Sequence, residues 1–132
     1  MTLLAETIAG VYTIDVDEDE VASFAPGASL DPAPPPPLAL PRVVAAAASG
    51  STVVVAVKAK PPLLVSHDAG LTWRESGRGL PVGTAVAAAE DDPDRLAFAA
   101  GERLYVSNDG GRFWTALTVE LPEDVVALDW LS

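Results

Sequence analysis

The chain contains no cysteine, one histidine and one methionine. Disulfides, thiolate metal sites and a thiol nucleophile are excluded by that absence, which also fits a cytoplasmic location. Positive charge is scarce as well, with eight Lys and Arg against nineteen Asp and Glu and a formal net charge of −11. Phosphate recognition depends on a net cationic surface, so neither nucleic acid nor an anionic membrane is an expected partner. No uncharged apolar run reaches the roughly 18 residues that a membrane span requires. The opening Met1-Thr-Leu-Leu-Ala-Glu6 lacks a basic region and meets an acid too early for a signal peptide. What the chain does have is apolar content, 49% of its residues, enough for a folded core.

That content is periodic. Ser66-x-Asp68-x-Gly70-x-Thr72-Trp73 returns 41 residues later as Ser107-x-Asp109-x-Gly111-x-Phe113-Trp114. Leu40-Pro41, Leu80-Pro81 and Leu121-Pro122 form a second series, each preceding a run of small apolar residues: Val43–Ala48, Thr84–Ala89 and Val125–Trp130. A repeat of this length made of short apolar runs predicts four-stranded antiparallel meanders, the blades of a β-propeller. The three small-residue runs are the innermost strands, where sheets converge and side chains must be small. Strands follow at Thr52–Lys58, Leu63–Ser66 and Leu71–Glu75, and again at Arg95–Ala100, Leu104–Ser107 and Arg112–Thr118.

The fold class is therefore all-β, a half-propeller of three blades. Residues 2–25 supply the second to fourth strands of blade 1 (Leu3–Ala9, Val11–Asp15, Val21–Phe24), and 26–41 form a Pro-rich insert. Residues 42–78 are blade 2 and 79–119 are blade 3. Residues 120–132 provide the innermost strand that closes blade 1, in the same chain or a partner. Propellers usually have about four to eight blades. A twofold homodimer of six blades is accordingly expected, each copy donating Val125–Trp130 to Leu3–Ala9 of the other. A piece of a longer chain, or a subunit completed by a different neighbour, are the other readings.

The boxed residues resemble the Asp-box, or BNR repeat, found in sialidases, sortilin-like receptors and photosystem-assembly propellers. The resemblance implies a folding device on the hairpin between the third and fourth strands. Asp68 and Asp109 would accept N–H bonds across the turn, Gly70 and Gly111 would supply positive φ, and Trp73 and Trp114 would pack between blades. Ser66, Thr72, Ser107 and Phe113 complete the two boxes. In blade 1 the box is degenerate, with Asp17 in the glycine position and Glu20 in the tryptophan position, and Phe24 as a candidate plug.

The same resemblance raises sialidase chemistry, which would require a Tyr/Glu pair, an acid and three arginines. Only Tyr12 and Tyr105 are available, and no pair of carboxylates is singled out as a glycosidase needs. Ser66-His67-Asp68 is too tightly adjacent to form a catalytic relay. Asp15, Asp17 and Asp19 imitate the start of an EF-hand loop, yet Glu20 and Pro26 stand where that loop needs Gly and Glu, so the metal reading is weak. No cofactor is expected.

Topology puts the boxes and the turns between first and second strands at one acidic end of the blades. Arg42, Lys58, Lys60, Arg78 and Arg103 fall at the other end, the candidate ligand face. The insert adds thirteen residues there, including Pro32 and Pro34–Pro37, a polyproline II spacer or docking segment. The sequence thus reads as a non-enzymatic interaction scaffold with a protein partner. The alternative is a carbohydrate-binding or glycoside-hydrolase-like protein that recognises an anionic glycan.

Overall fold

The computed structural model describes residues 1–31, 38 and 40–131; the expected polyproline stretch, Pro32 and Pro34–Pro37, lies outside the described residues. All regular structure among them is strand, and no helix is long and apolar enough to cross a membrane.

Three four-stranded antiparallel sheets account for the molecule. Blade 2 is a meander of β4 (Val43–Ser49), β5 (Thr52–Val57), β6 (Leu63–Ser66) and β7 (Arg74–Ser76). Blade 3 repeats it with β8 (Ala85–Ala89), β9 (Asp92–Ala100), β10 (Arg103–Ser107) and β11 (Thr115–Glu120). Blade 1 is composite. Its strands run in the order β12 (Ala127–Leu131), β1 (Thr2–Thr7), β2 (Gly10–Asp15) and β3 (Glu20–Pro26).

The composite sheet corrects one expectation. The last strand pairs with β1 of its own chain, Thr2 opposite Leu131 and Glu6 opposite Ala127, where the sequence reading assigned it to a sister molecule. Intramolecular pairing avoids the translational and rotational entropy lost when two chains associate, and nothing in the turn chemistry holds the two ends apart. Val126 N–H also donates to Glu6 O at 2.8 Å, so the chain is held against β1 from the residue before the strand.

The outer strands begin three residues later than the sequence predicts, at Arg74 and Thr115 instead of Leu71 and Arg112. The cause is the box. Asp68 Oδ1 accepts Thr72 N–H at 2.8 Å and Asp109 Oδ1 accepts Phe113 N–H at 3.0 Å, which wraps those residues into the turn and delays the ladder.

Alternation along each strand decides how the sheets stack. Strand β8 lies against β4 on one side and β12 on the other, and β4 and β12 do not meet. The spatial order is therefore blade 2, blade 3, blade 1, an open arc. Val54, Ala56, Leu63 and Val65 of blade 2 meet Leu96 and Phe98 of blade 3. On the other side, Ala97, Ala99 and Leu104 of blade 3 meet Leu3, Ile14, Leu128 and Trp130 of blade 1. Ala85, Ala87 and Ala89 of β8 are buried between two neighbours, whereas β4 at the arc's end is half-exposed along most of its length.

The opposite face of blade 2 has no neighbouring blade. Its Val53, Val55 and Val57 are nevertheless buried, under Leu38 and Leu40 of the insert together with Ala59, Leu64 and Trp73. Burying a valine contributes roughly 1.5–3 kcal/mol relative to leaving it in water, so this cover matters to the stability of blade 2. The far face of blade 1 is mixed, with Leu4, Val11 and Leu131 set among Thr2, Glu6, Thr13 and Asp129.

Candidate functional site

The two complete boxes fold alike because the same four hydrogen bonds recur. Ser66 Oγ donates to Asp68 Oδ1 at 2.7 Å and accepts Gly70 N–H at 2.8 Å; Ser107 does the same with Asp109 and Gly111 at 2.8 and 2.9 Å. Gly70 and Gly111 both take φ +90°, a conformation side chains rarely adopt. The Thr72 hydroxyl donates to Asp68 Oδ2, a bond Phe113 cannot supply to Asp109. Donation by Thr72 and Ser66 holds the Asp68 carboxyl well below its ordinary value, at about 2. Asp109 is lowered too, chiefly by the Phe113 N–H. Both carboxylates spend their Oδ1 oxygens on donors of their own turns, which is the work of a turn organiser.

His67 stands outside this network, exposed, with Nδ1 3.2 Å from Thr52 Oγ1. Ser66 and Asp68 bond each other directly, leaving no relay through His67. The tryptophans divide their roles. Trp114 lies between blades, donating from Nε1 to Ser76 Oγ at 2.8 Å, while Ser76 donates in turn to Gly111 O. Trp73, at the arc's end, packs on the Val53–Val57 face with the insert. Phe24 stacks on Tyr12 at 4.4 Å between centroids and stays 40% exposed, so it does not plug a blade junction.

In blade 1 the three acidic residues turn to different partners. Asp15 Oδ1 caps its own turn through the Asp17 and Glu18 N–H groups, and Asp17 meets the Met1 ammonium at 2.6 Å. Asp19 reaches blade 3, where its carboxylate accepts Thr118 N–H at 2.8 Å and Val119 N–H at 3.2 Å. Donation by Thr118 lowers the Asp19 carboxyl below its ordinary value. Among the described residues no cluster of three or more His, Asp or Glu side chains could hold a metal ion.

Backbone bonds place the connections at two ends of the blades. Ala69 N–H donates to Ser51 O and Gly110 N–H to Asp94 O, joining each box to the turn between its first two strands. At the other end Lys58 N–H donates to Arg42 O, Leu121 N–H to Glu102 O and Val125 N–H to Gly101 O. Arg42, Lys58, Lys60 and Arg78 are exposed, and Lys60 and Arg78 share a shallow cleft of about 270 Å³ with Leu80. Arg103, on blade 3, lies 3.8 Å from Glu120. The sequence reading overlooked the acids at this end: Glu6, Glu102, Glu120, Glu123 and Asp124. Only blade 2 presents a cationic surface there.

One pair was invisible in the sequence. Tyr12 OH donates to Glu123 Oε1 at 3.0 Å, and Thr7 Oγ1 donates to the same oxygen at 2.9 Å, across more than 110 residues. Desolvation and then the Glu123 carboxylate raise the Tyr12 phenol above its ordinary value, so it stays protonated at neutral pH. That is a clamp on the last connection, and the shift runs opposite to what a phenolate nucleophile needs.

No protein-family model matches the chain, and no curated protein matches it. Solved structures do. One is the GH74 enzyme of Niastella koreensis, 20% identical, with a TM-score of 0.52 over 96% of this chain and 19% of the enzyme. The likeness is one of fold. It agrees with a partial β-propeller, and the chain spans about a fifth of the length of that enzyme.

Proposed function

We propose that the chain is a non-enzymatic protein-binding scaffold of Asp-box blades, and that two copies associate into a ring of six. The observation that carries this reading is the unfinished inner flank of the arc. Strand β8 has an inner neighbour on each side, but β4 and β12 have one each. Next to these open flanks Val43, Val126 and Leu131 are 39%, 56% and 55% exposed. A second copy about a twofold axis sets β4 of one beside β12 of the other, repeating internal stacking that already exists twice. The arrangement also brings the cationic end of blade 2 toward the partner's Glu6, Glu123 and Asp124.

Light scattering tests it: twice the chain mass is expected, falling to the chain mass in the variant Val126→Glu with Leu131→Glu. A concentration-independent monomer would sink the ring. The boxes support a non-enzymatic role because their serines and aspartates are engaged within their own turns.

A carbohydrate-binding reading is favoured by one specific observation, the Lys60 and Arg78 cleft on a fold shared with a glycoside hydrolase. Arg42 lies at the same end, while Arg103 is drawn to Glu120. Retention on an array of anionic glycans, lost with Lys60→Ala and Arg78→Ala, is the outcome this reading requires.

A further inference from the structure

The two blade junctions solve the same problem with different chemistry. At the junction of blades 3 and 1, the hairpin of blade 1 sends Asp19 onto the outer strand β11, where two consecutive amides, Thr118 and Val119, hold its carboxylate. Counting on from the matched pairs, Val65 with Arg74 and Val106 with Thr115, Gly77 and Arg78 occupy the corresponding sequence positions in blade 2, just past the end of β7 and without the register shift that β11 carries there. Here the neighbouring hairpin presents Arg112 and Phe113. Neither offers a carboxylate. Among the described residues the Gly77 and Arg78 N–H groups make no hydrogen bond outside the strand ladders.

What stands at this second junction is a groove of about 480 Å³ along β7, with Arg74 and Arg78 on one wall and Arg112 and Phe113 on the other. Three of the chain's eight cationic side chains gather there in a molecule of net charge −11. None of the three has a carboxylate within ion-pair distance among the described residues, although Glu75 lies on the same wall. Phe113 is 78% exposed. The groove floor is fixed: Ser76 donates to Gly111 O and accepts Trp114 Nε1, which ties the two walls together at their base. A Cβ at Gly111 would come within 3.1 Å of Ser76 Oγ, which keeps the hairpin glycine and the strand in close contact.

We propose that this groove binds an acidic peptide segment of a protein partner, an aspartate or glutamate carboxylate taking the role at blade 2 that Asp19 fills at blade 3. Arg74 and Arg112 grip the carboxylates from opposite walls, and the Phe113 ring covers an apolar side chain beside them. Arginine forks suit this because they bind carboxylates with two parallel N–H bonds. A protein carboxylate is favoured over a sugar acid because the molecule already uses an aspartate on a hairpin for the equivalent contact. The proposal rests on the protein-binding reading above.

Fluorescence anisotropy with a labelled peptide of about eight residues alternating aspartate and serine tests it on the full chain. The aspartate peptide is expected to bind at low salt, and its asparagine counterpart at least tenfold more weakly. Arg74→Gln and Arg112→Gln should each weaken binding about tenfold or more, the scale of a charge-assisted hydrogen bond. Arg42→Gln with Lys58→Gln should leave it unchanged. Phe113→Asp, at an exposed position, installs an internal carboxylate and should abolish it. Equal binding of both peptides, no binding, or indifference to Arg112→Gln overturns the groove while leaving the dimeric scaffold testable by mass. Preferential capture of oligoglucuronate through Arg74 and Arg112 overturns both the peptide and the protein-binding reading.

Discussion

Asp68 and Asp109 occupy equivalent turns, yet they are not equally held. Asp68 has the Thr72 hydroxyl in addition to the Thr72 N–H, whereas Asp109 has only the backbone donor at the matching position. Asp68→Ala should therefore lower the thermal midpoint more than Asp109→Ala, as measured by circular dichroism. The pH dependence has a definite sign. A carboxyl whose pKa drops from 3.8 to about 2 on folding stabilises the fold above its unfolded value and loses that contribution as pH falls through the folded one. Acid titration should show stability declining between about pH 4 and pH 2, with this limb flattened in Asp68→Asn. These residues were readable in the sequence because each box closes its bonds within four residues. Tyr12 and Glu123 were not, since their bond spans 111 residues and depends on the split blade having closed. Asp19 escaped for a similar reason, its partners lying 99 and 100 residues away.

Among the elements, β12 closes blade 1 and carries Trp130 into the junction with blade 3. Trp130 is buried against blade 3, and Arg95 lies 5.8 Å over its ring. Trp130→Ala should cost about 3–5 kcal/mol in denaturant unfolding, the range for losing a large aromatic from a core. Strand β7 is short, and its hold on blade 3 passes through Ser76. Ser76→Ala leaves Trp114 Nε1 without its acceptor and Gly111 O without its donor, a loss of about 1–3 kcal/mol. The start of β7 was misjudged from sequence because strand propensity says nothing of a side chain that reaches forward to Thr72. The meander itself was legible, since small apolar runs, turn residues and the Leu-Pro markers agree at each repeat. The insert gives a further test. Leu38→Asp with Leu40→Asp uncovers Val53, Val55 and Val57, so binding of a hydrophobic dye should rise while far-ultraviolet circular dichroism stays that of a β protein.

At the scale of the molecule, the arc has unlike ends: blade 1 finishes on a face that mixes Leu4 and Leu131 with polar side chains, and blade 2 on valines sheltered by the insert. Outer faces of terminal repeats must be covered or made compatible with water, and in the proposed ring these two unlike faces are the ones that meet across the copies. Charge follows the same polarity, cationic on blade 2 and acidic on blades 1 and 3 at the end away from the boxes. From connection types alone that whole end reads as cationic, since Glu123 and Asp124 enter it only through the final loop.

Order in space and order along the chain disagree, and the closing hairpin shows how to reconcile them. Thr2 and Leu131 face each other across a ladder, so joining residue 132 to residue 1 would link them through a two-residue turn. Opening the backbone within the insert instead would yield a permuted polypeptide whose sheets are synthesised in the sequence in which they stack. With its most distant pairings made local, such a permutant should fold faster than the parent.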